Sequence, residues 1–229
     1  MTPFLTPLAA QMFSIDDPEP EREERIGFFT LIGVSYEPAE FTYEGEGAED
    51  LERLDFDSSV IRFRLESPGL EIGLGFGGSL TGMDENSLVN INGRLYNSLP
   101  IKRSQNLLLS IPIQITTDFL QVRRNRSDAE FLKSSLVFGS GLSFIADPGN
   151  RLRINLRATP NYGFSFSQGN LFGGNLFRFD GRALLFIKNV IGERAISLGY
   201  HFDLRQYRIE GNLNDYDYIS HSFTLGIGF

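Results

Sequence analysis

The sequence predicts an all-β fold: one membrane-spanning, up-and-down antiparallel β-barrel of about ten strands. Three observations predict it. Apolar and polar residues alternate with a period of two in segment after segment. The connections between those segments alternate between short and long. No apolar run reaches the roughly eighteen residues that a helix needs to cross a bilayer. A length of 229 residues suits one large β domain, and no Pro/Ser-rich stretch separates two cores.

The chain starts with a lead over 1–26. Met1 to Gln11 is apolar and small-residue-rich, in the manner of a signal-peptide remnant, but it lacks a basic start. Asp16-Asp17-Pro18-Glu19-Pro20-Glu21 cannot build a core, because charge and proline are clustered there. The barrel is expected over 27–229, with strands near 27–37, 58–66, 70–80, 88–97, 106–118 and 131–145. Leu70, Ile72, Leu74 and Phe76 alternate there with Glu71, Gly73, Gly75 and Gly77. Next, Leu152, Ile154, Leu156, Ala158, Tyr162, Phe164 and Phe166 oppose Arg153, Asn155, Arg157, Asn161, Gly163 and Ser165, and Pro160 marks either a bulge or an upper extension. Phe177, Phe179, Ala183, Leu185 and Ile187 enclose Arg178, Asp180 and Arg182. Ile196, Leu198, Tyr200, Phe202 and Leu204 alternate with Ser197, Gly199, His201, Asp203 and Arg205. The last strand sets Ile219, Phe223, Leu225, Ile227 and Phe229 against Ser220, Ser222, Thr224, Gly226 and Gly228.

Short links fall at 66–69, 147–150 and 189–192, with a longer one at 98–105; long links fall at 38–57, 81–87, 119–130, 167–175 and 206–215. An even strand count puts both termini at the short-turn end. A soluble barrel would show the same alternation with its apolar face inward. Against that, the polar face is built of Arg, Gly, Ser and Asn, and arginine outnumbers lysine 18 to 3, which suits paired charges in a narrow lumen better than a solvated surface.

The chain end, Ser222-Phe223-Thr224-Leu225-Gly226-Ile227-Gly228-Phe229, resembles the C-terminal insertion signal of Gram-negative outer-membrane β-barrels, in Ser222, Leu225, Ile227 and the terminal Phe229. Thr224 stands where that family usually has glycine. The resemblance covers the architecture of 27–229 and the motif of the last eight residues, and it selects no subfamily. It implies residence in a bacterial outer membrane with periplasmic termini, contact with its lipid and lipopolysaccharide, and recognition by the barrel-assembly machinery.

Ten strands enclose too narrow a lumen for a wide channel. The charges expected to fill it as an ion-pair network are Arg62, Arg64, Glu71, Arg94, Asp118, Arg153, Arg157, Arg178, Asp180, Arg182, Asp203 and Arg205. Two histidines bear on catalysis, because the lipid A deacylases and omptin proteases are barrel enzymes using His with Ser or Asp near the rim. His221 precedes Ser222 without the spaced His-x-Ser arrangement, and His201 shares a strand face with Asp203.

Glu40, Glu44, Glu46, Glu49, Asp50, Glu52, Asp55 and Asp57 make the first long loop acidic, and Arg123, Arg124 and Arg126 make another basic and able to contact lipopolysaccharide phosphates. No calcium-loop spacing occurs, cysteine is absent, and nothing points to a metal or cofactor. A net charge of −8 argues against nucleic acid. The expected function is a non-enzymatic barrel with a plugged lumen and interacting outer loops. The alternatives are a deacylase-like lipid-modifying enzyme and a narrow carrier of small or hydrophobic solutes.

Overall fold

The computed structural model describes residues 29–45, 54–126, 129–149, 151–167, 172–209 and 214–229. The lead 1–26 and the acidic Glu46, Glu49, Asp50 and Glu52 lie outside the described residues. Eleven strand segments follow one another: β1 (Leu31–Tyr43), β2 (Phe56–Ser67), β3 (Leu70–Gly77), β4 (Asn86–Ser104), β5 (Leu107–Arg124), β6 (Glu130–Ser140), β7 (Leu142–Ala146), β8 (Leu152–Ser167), β9 (Phe172–Ile191), β10 (Arg194–Arg208) and β11 (Tyr216–Gly228).

Each strand pairs antiparallel with the next. β6 and β7 together form one wall between β5 and β8, so the eleven segments make ten staves. β1 closes the ring on β11 from Leu31↔Gly228 to Tyr43↔Tyr216. Thr30 and Phe229 then exchange both backbone hydrogen bonds, at 3.2 and 2.9 Å. Closure matters physically, because an open edge in hydrocarbon would leave backbone groups unpaired at a cost of several kcal/mol each.

The alternation sorts side chains as the sequence predicts. Ile32, Val34 and Tyr36 of β1, Leu95 and Leu99 of β4, and Phe223, Leu225 and Ile227 of β11 stand exposed on the outer wall. Arg62, Arg94, Arg157, Arg178 and Arg205 are buried inside it. An apolar wall of this extent cannot face water, whereas lipid solvates it without cost. The protein is therefore a transmembrane barrel of the outer-membrane type, and the inverted, soluble arrangement does not apply.

Several boundaries differ from those expected. Pro38–Tyr43, expected as part of the first long link, continues β1, because Ala39 and Phe41 still point inward onto a packed layer. The link 98–105 is strand: β4 runs to Ser104 and only Gln105 and Asn106 turn, giving a two-residue hairpin. At the other end, β5 runs to Arg124, β9 starts at Phe172 and β10 reaches Arg208, so three long links are shorter than expected.

The single strand expected over 131–145 is broken at Gly141. Pro160 supplies the reason. Register pairs Gly139 with Asn161 and Leu142 with Ala158, so the break lies opposite Thr159 and Pro160, where proline has no N–H to give the ladder. The bulge in β8 itself falls later, between Gly163 and Ser165.

Candidate functional site

On several strands the inward residues read in a similar order from the long-loop end to the short-turn end, and they stack into three layers. β9 presents Leu176, then Arg178, Asp180 and Arg182, then Leu184 and Phe186; β1 presents Phe41 and Ala39, then Glu37 and Ser35, then Leu31. An aromatic-rich upper layer, a charged middle and a mostly apolar floor result.

The upper layer is aromatic. Phe41 and Phe131 lie 5.1 Å apart by ring centroids, Phe131 and Tyr216 5.4 Å, and Tyr207 and Tyr216 5.8 Å. Lys133 is buried among them with its ammonium over the Tyr207 ring and 4.8 Å from that of Tyr216, and its Nζ has no hydrogen-bond partner. Cation–π attraction replaces part of the solvation that burial removes. The floor is made by Leu31, Leu184, Phe186 and Ala195, with Phe29 stacked on Phe186 at 5.0 Å.

Between these layers lie seven guanidiniums (Arg62, Arg64, Arg94, Arg157, Arg178, Arg182, Arg205) and six carboxylates (Glu37, Glu66, Glu71, Asp118, Asp180, Asp203). Arg62 clamps Glu37 with Nε at 2.6 Å and Nη2 at 2.7 Å, and gives its remaining Nη1 to Asn90 and Asn92 at 2.9 and 3.0 Å. Tyr218 donates to Glu37 at 2.9 Å, tying the aromatic layer to the charged one. Arg205 bridges Asp118 and Asp203, at 2.6 Å each, and Arg178 reaches Asp203 at 2.8 Å. Arg94 bridges Glu71 and Asp180, again at 2.6 Å each. Glu71 also accepts from Arg157 at 2.5 Å and Arg182 at 2.7 Å, so three arginines converge on one carboxylate.

Eleven of the twelve residues expected in the lumen network lie in this layer; the twelfth, Arg153, sits below it, on Asp147 at 2.6 Å and 4.7 Å over the Phe29 ring. Hydrogen bonds from Lys188 and Arg153 outweigh the opposing effect of partial burial and hold the Asp147 carboxyl below its ordinary range, which fastens the turn after β7. Sequence reasoning missed Glu37 and Glu66, two of the six carboxylates. Both were in phase with inward neighbours but stood at the ends of strands drawn too short. The polar residues Asn90, Asn92, Asn161 and Gln114, which thread the network, carried no charge to single them out.

The histidines do not form the arrangements considered for them. His201 points inward, but its Nε2 is 3.8 Å from Glu66, while Asp203 is held by Arg178 and Arg205. His221 points outward, with Nδ1 2.8 Å from the Tyr200 hydroxyl and its ring among Tyr200 and Phe202. Ser222 points inward, where Arg64 donates to its hydroxyl at 2.9 Å. Adjacent strand residues face opposite sides of the wall, so His221 and Ser222 cannot act as a base–nucleophile pair. Among the described residues no group of three or more His, Asp or Glu side chains is placed to hold a metal ion. At the long-loop rim, Arg123 and Arg126 are exposed.

No protein-family model matches the chain, and no curated protein matches it in sequence. Among solved structures it is similar to the outer membrane protease OmpT from Escherichia coli, with 8% identity over 90% of this chain and 99% of that one and a TM-score of 0.46. It is similar also to the translocator domain of the autotransporter NalP from Neisseria meningitidis (10% identity, 88% of each chain, TM-score 0.43). A third is the beta domain of the Bordetella autotransporter BrkA (10% identity, 86% of this chain and 98% of that one, TM-score 0.34). Likeness at this level assigns this chain none of their activities.

Proposed function

We propose that the protein is a non-conducting, non-enzymatic barrel of a bacterial outer membrane, whose termini lie in the periplasm and whose outer loops do its work as a structural or surface-interaction element. The observation that carries the reading is the three-layer filling of the lumen. Ions and solutes would have to pass an aromatic layer, a paired charge layer and an apolar floor, and displacing any buried ion pair is expensive.

The wall supplies an anchor and the rim supplies chemistry. Exposed Arg123 and Arg126 stand at the end of the β5–β6 hairpin, where guanidinium forks match lipopolysaccharide phosphates. The terminal strand, with Phe229 exposed at its end, offers the assembly machinery its insertion signal.

Planar-bilayer recording on the purified, folded protein tests this. The expected result is a baseline without conductance steps at any applied voltage short of membrane rupture. Stable, ohmic steps whose size follows protein insertion would overturn the closed-lumen reading and favour a pore.

A further inference from the structure

We infer that the lower part of the charged layer holds one small monovalent anion, of halide size, against the guanidiniums of Arg157 and Arg182. Two independent observations point there.

The first is charge. Among the described residues the middle layer holds seven guanidiniums and six carboxylates, and with His201 neutral the difference is one positive charge. Its location can be traced. Once Arg94 is assigned to Asp180, which it reaches at 2.6 Å, the upper part of the layer is balanced. What remains is Glu66 and Glu71 against Arg157, Arg182 and Arg64, the last of which also reaches Glu37 at 3.4 Å. An uncompensated charge away from water costs several kcal/mol, and a bound counter-ion removes that cost.

The second is hydrogen bonding. Arg157 and Arg182 stand opposite each other across the β8–β9 ladder and share one acceptor, Glu71 Oε1. Their side chains are only 2% and 7% exposed, yet Nε and Nη1 of Arg157, whose guanidinium lies 5.0 Å over the Tyr96 ring, and Nε of Arg182 have no hydrogen-bond partner. The carboxylate oxygen still open nearby, Glu66 Oε1, faces His201 Nε2 at 3.8 Å. Water could accept from the free donors but would leave the charge standing, whereas an anion answers both.

Size narrows the class. Both arginines line a narrow void that runs through the charged layer past Glu66 and Glu71, with about 40 Å³ open to water-sized particles, on the scale of a few water molecules. A halide fits; phosphate or a carboxylic acid does not.

The test uses bromide as the probe. The full chain is refolded from denaturant into detergent in sodium bromide, crystallised, and measured at the bromine edge. One anomalous peak within hydrogen-bonding distance of Arg157 and Arg182 is expected, absent from Arg157→Gln, whose folding is checked by a heat-shifted gel mobility. No peak in the native chain, or the same water-scale density after refolding in bromide and in gluconate, overturns the site. Unfolding midpoints give a readout that needs no crystal. At constant ionic strength, replacing gluconate by bromide should stabilise the native chain, with about a tenfold gain in folding constant for each tenfold of bromide above its dissociation constant. Arg157→Gln should show no such dependence. A flat response in the native chain also overturns the site.

Discussion

Replacing Glu71 by glutamine is expected to lower folding stability by about 3–5 kcal/mol, the range seen when one partner of a buried ion pair is removed. Glu71 is the point on which Arg94, Arg157 and Arg182 converge, at 2.6, 2.5 and 2.7 Å. Glutamine keeps the shape and one acceptor but leaves three buried guanidiniums facing one another, with Glu66 and Asp180 as the carboxylates paired with them among the described residues. The control is Glu44→Gln at the long-loop rim, where Glu44 and Arg208 pair at 3.2 Å with both side chains 44% exposed. Solvent screens that pair, so its loss should cost less than about 1 kcal/mol. Equilibrium unfolding in urea from detergent measures both. Equal small effects would mean that the lumen charges are solvated and not locked.

Gly163→Ala should destabilise the barrel by about 3 kcal/mol or more, although it adds a single methyl group. A Cβ there would lie 2.1 Å from the Leu136 carbonyl oxygen and 2.7 Å from the Val137 Cα. Both are backbone atoms of the neighbouring strand, which can move only by opening the ladder beside the β8 bulge. Gly93→Ala is the matched control, because its Cβ would meet nothing closer than the Thr117 side chain at 3.5 Å, an ordinary contact. Heat-shifted mobility and the urea midpoint report the difference. A Gly163→Ala barrel as stable as Gly93→Ala would show that β6 and β8 do not approach so closely.

The wall was legible in the sequence because a period of two is imposed by the pleat itself, whatever the side chains then do. Leu70 to Gly77 and Ile219 to Phe229 show it almost residue by residue. Strand ends were less legible. Tyr43, Arg124 and Arg208 lie beyond the segments where outward residues are apolar, since above the lipid both faces of a strand can be polar and the alternation fades. The layering inside was hidden for a related reason. Phe41 and Tyr207 fall in segments expected as long links, and only the closed geometry shows that they meet Phe131 and Tyr216 inside the barrel. Partner choice was hidden too: Asp203 and His201 share a strand face, but the neighbouring β9 brings Arg178 to the first and β2, from across the lumen, brings Glu66 to the second.

The central claim is that the apolar face of this barrel meets lipid. The chain contains no cysteine, so single cysteines can be placed at successive positions from 219 to 227 and spin-labelled without background. Collision rates with molecular oxygen, which concentrates in lipid, and with a water-soluble nickel chelate are then measured in reconstituted vesicles. Labels at 219, 221, 223, 225 and 227 should be open to oxygen and closed to the chelate, while those at 220, 222 and 224 should be shielded from both by the filled lumen. Chelate access at the odd positions, with no alternation in oxygen access, would contradict the account and return the chain to the soluble barrels.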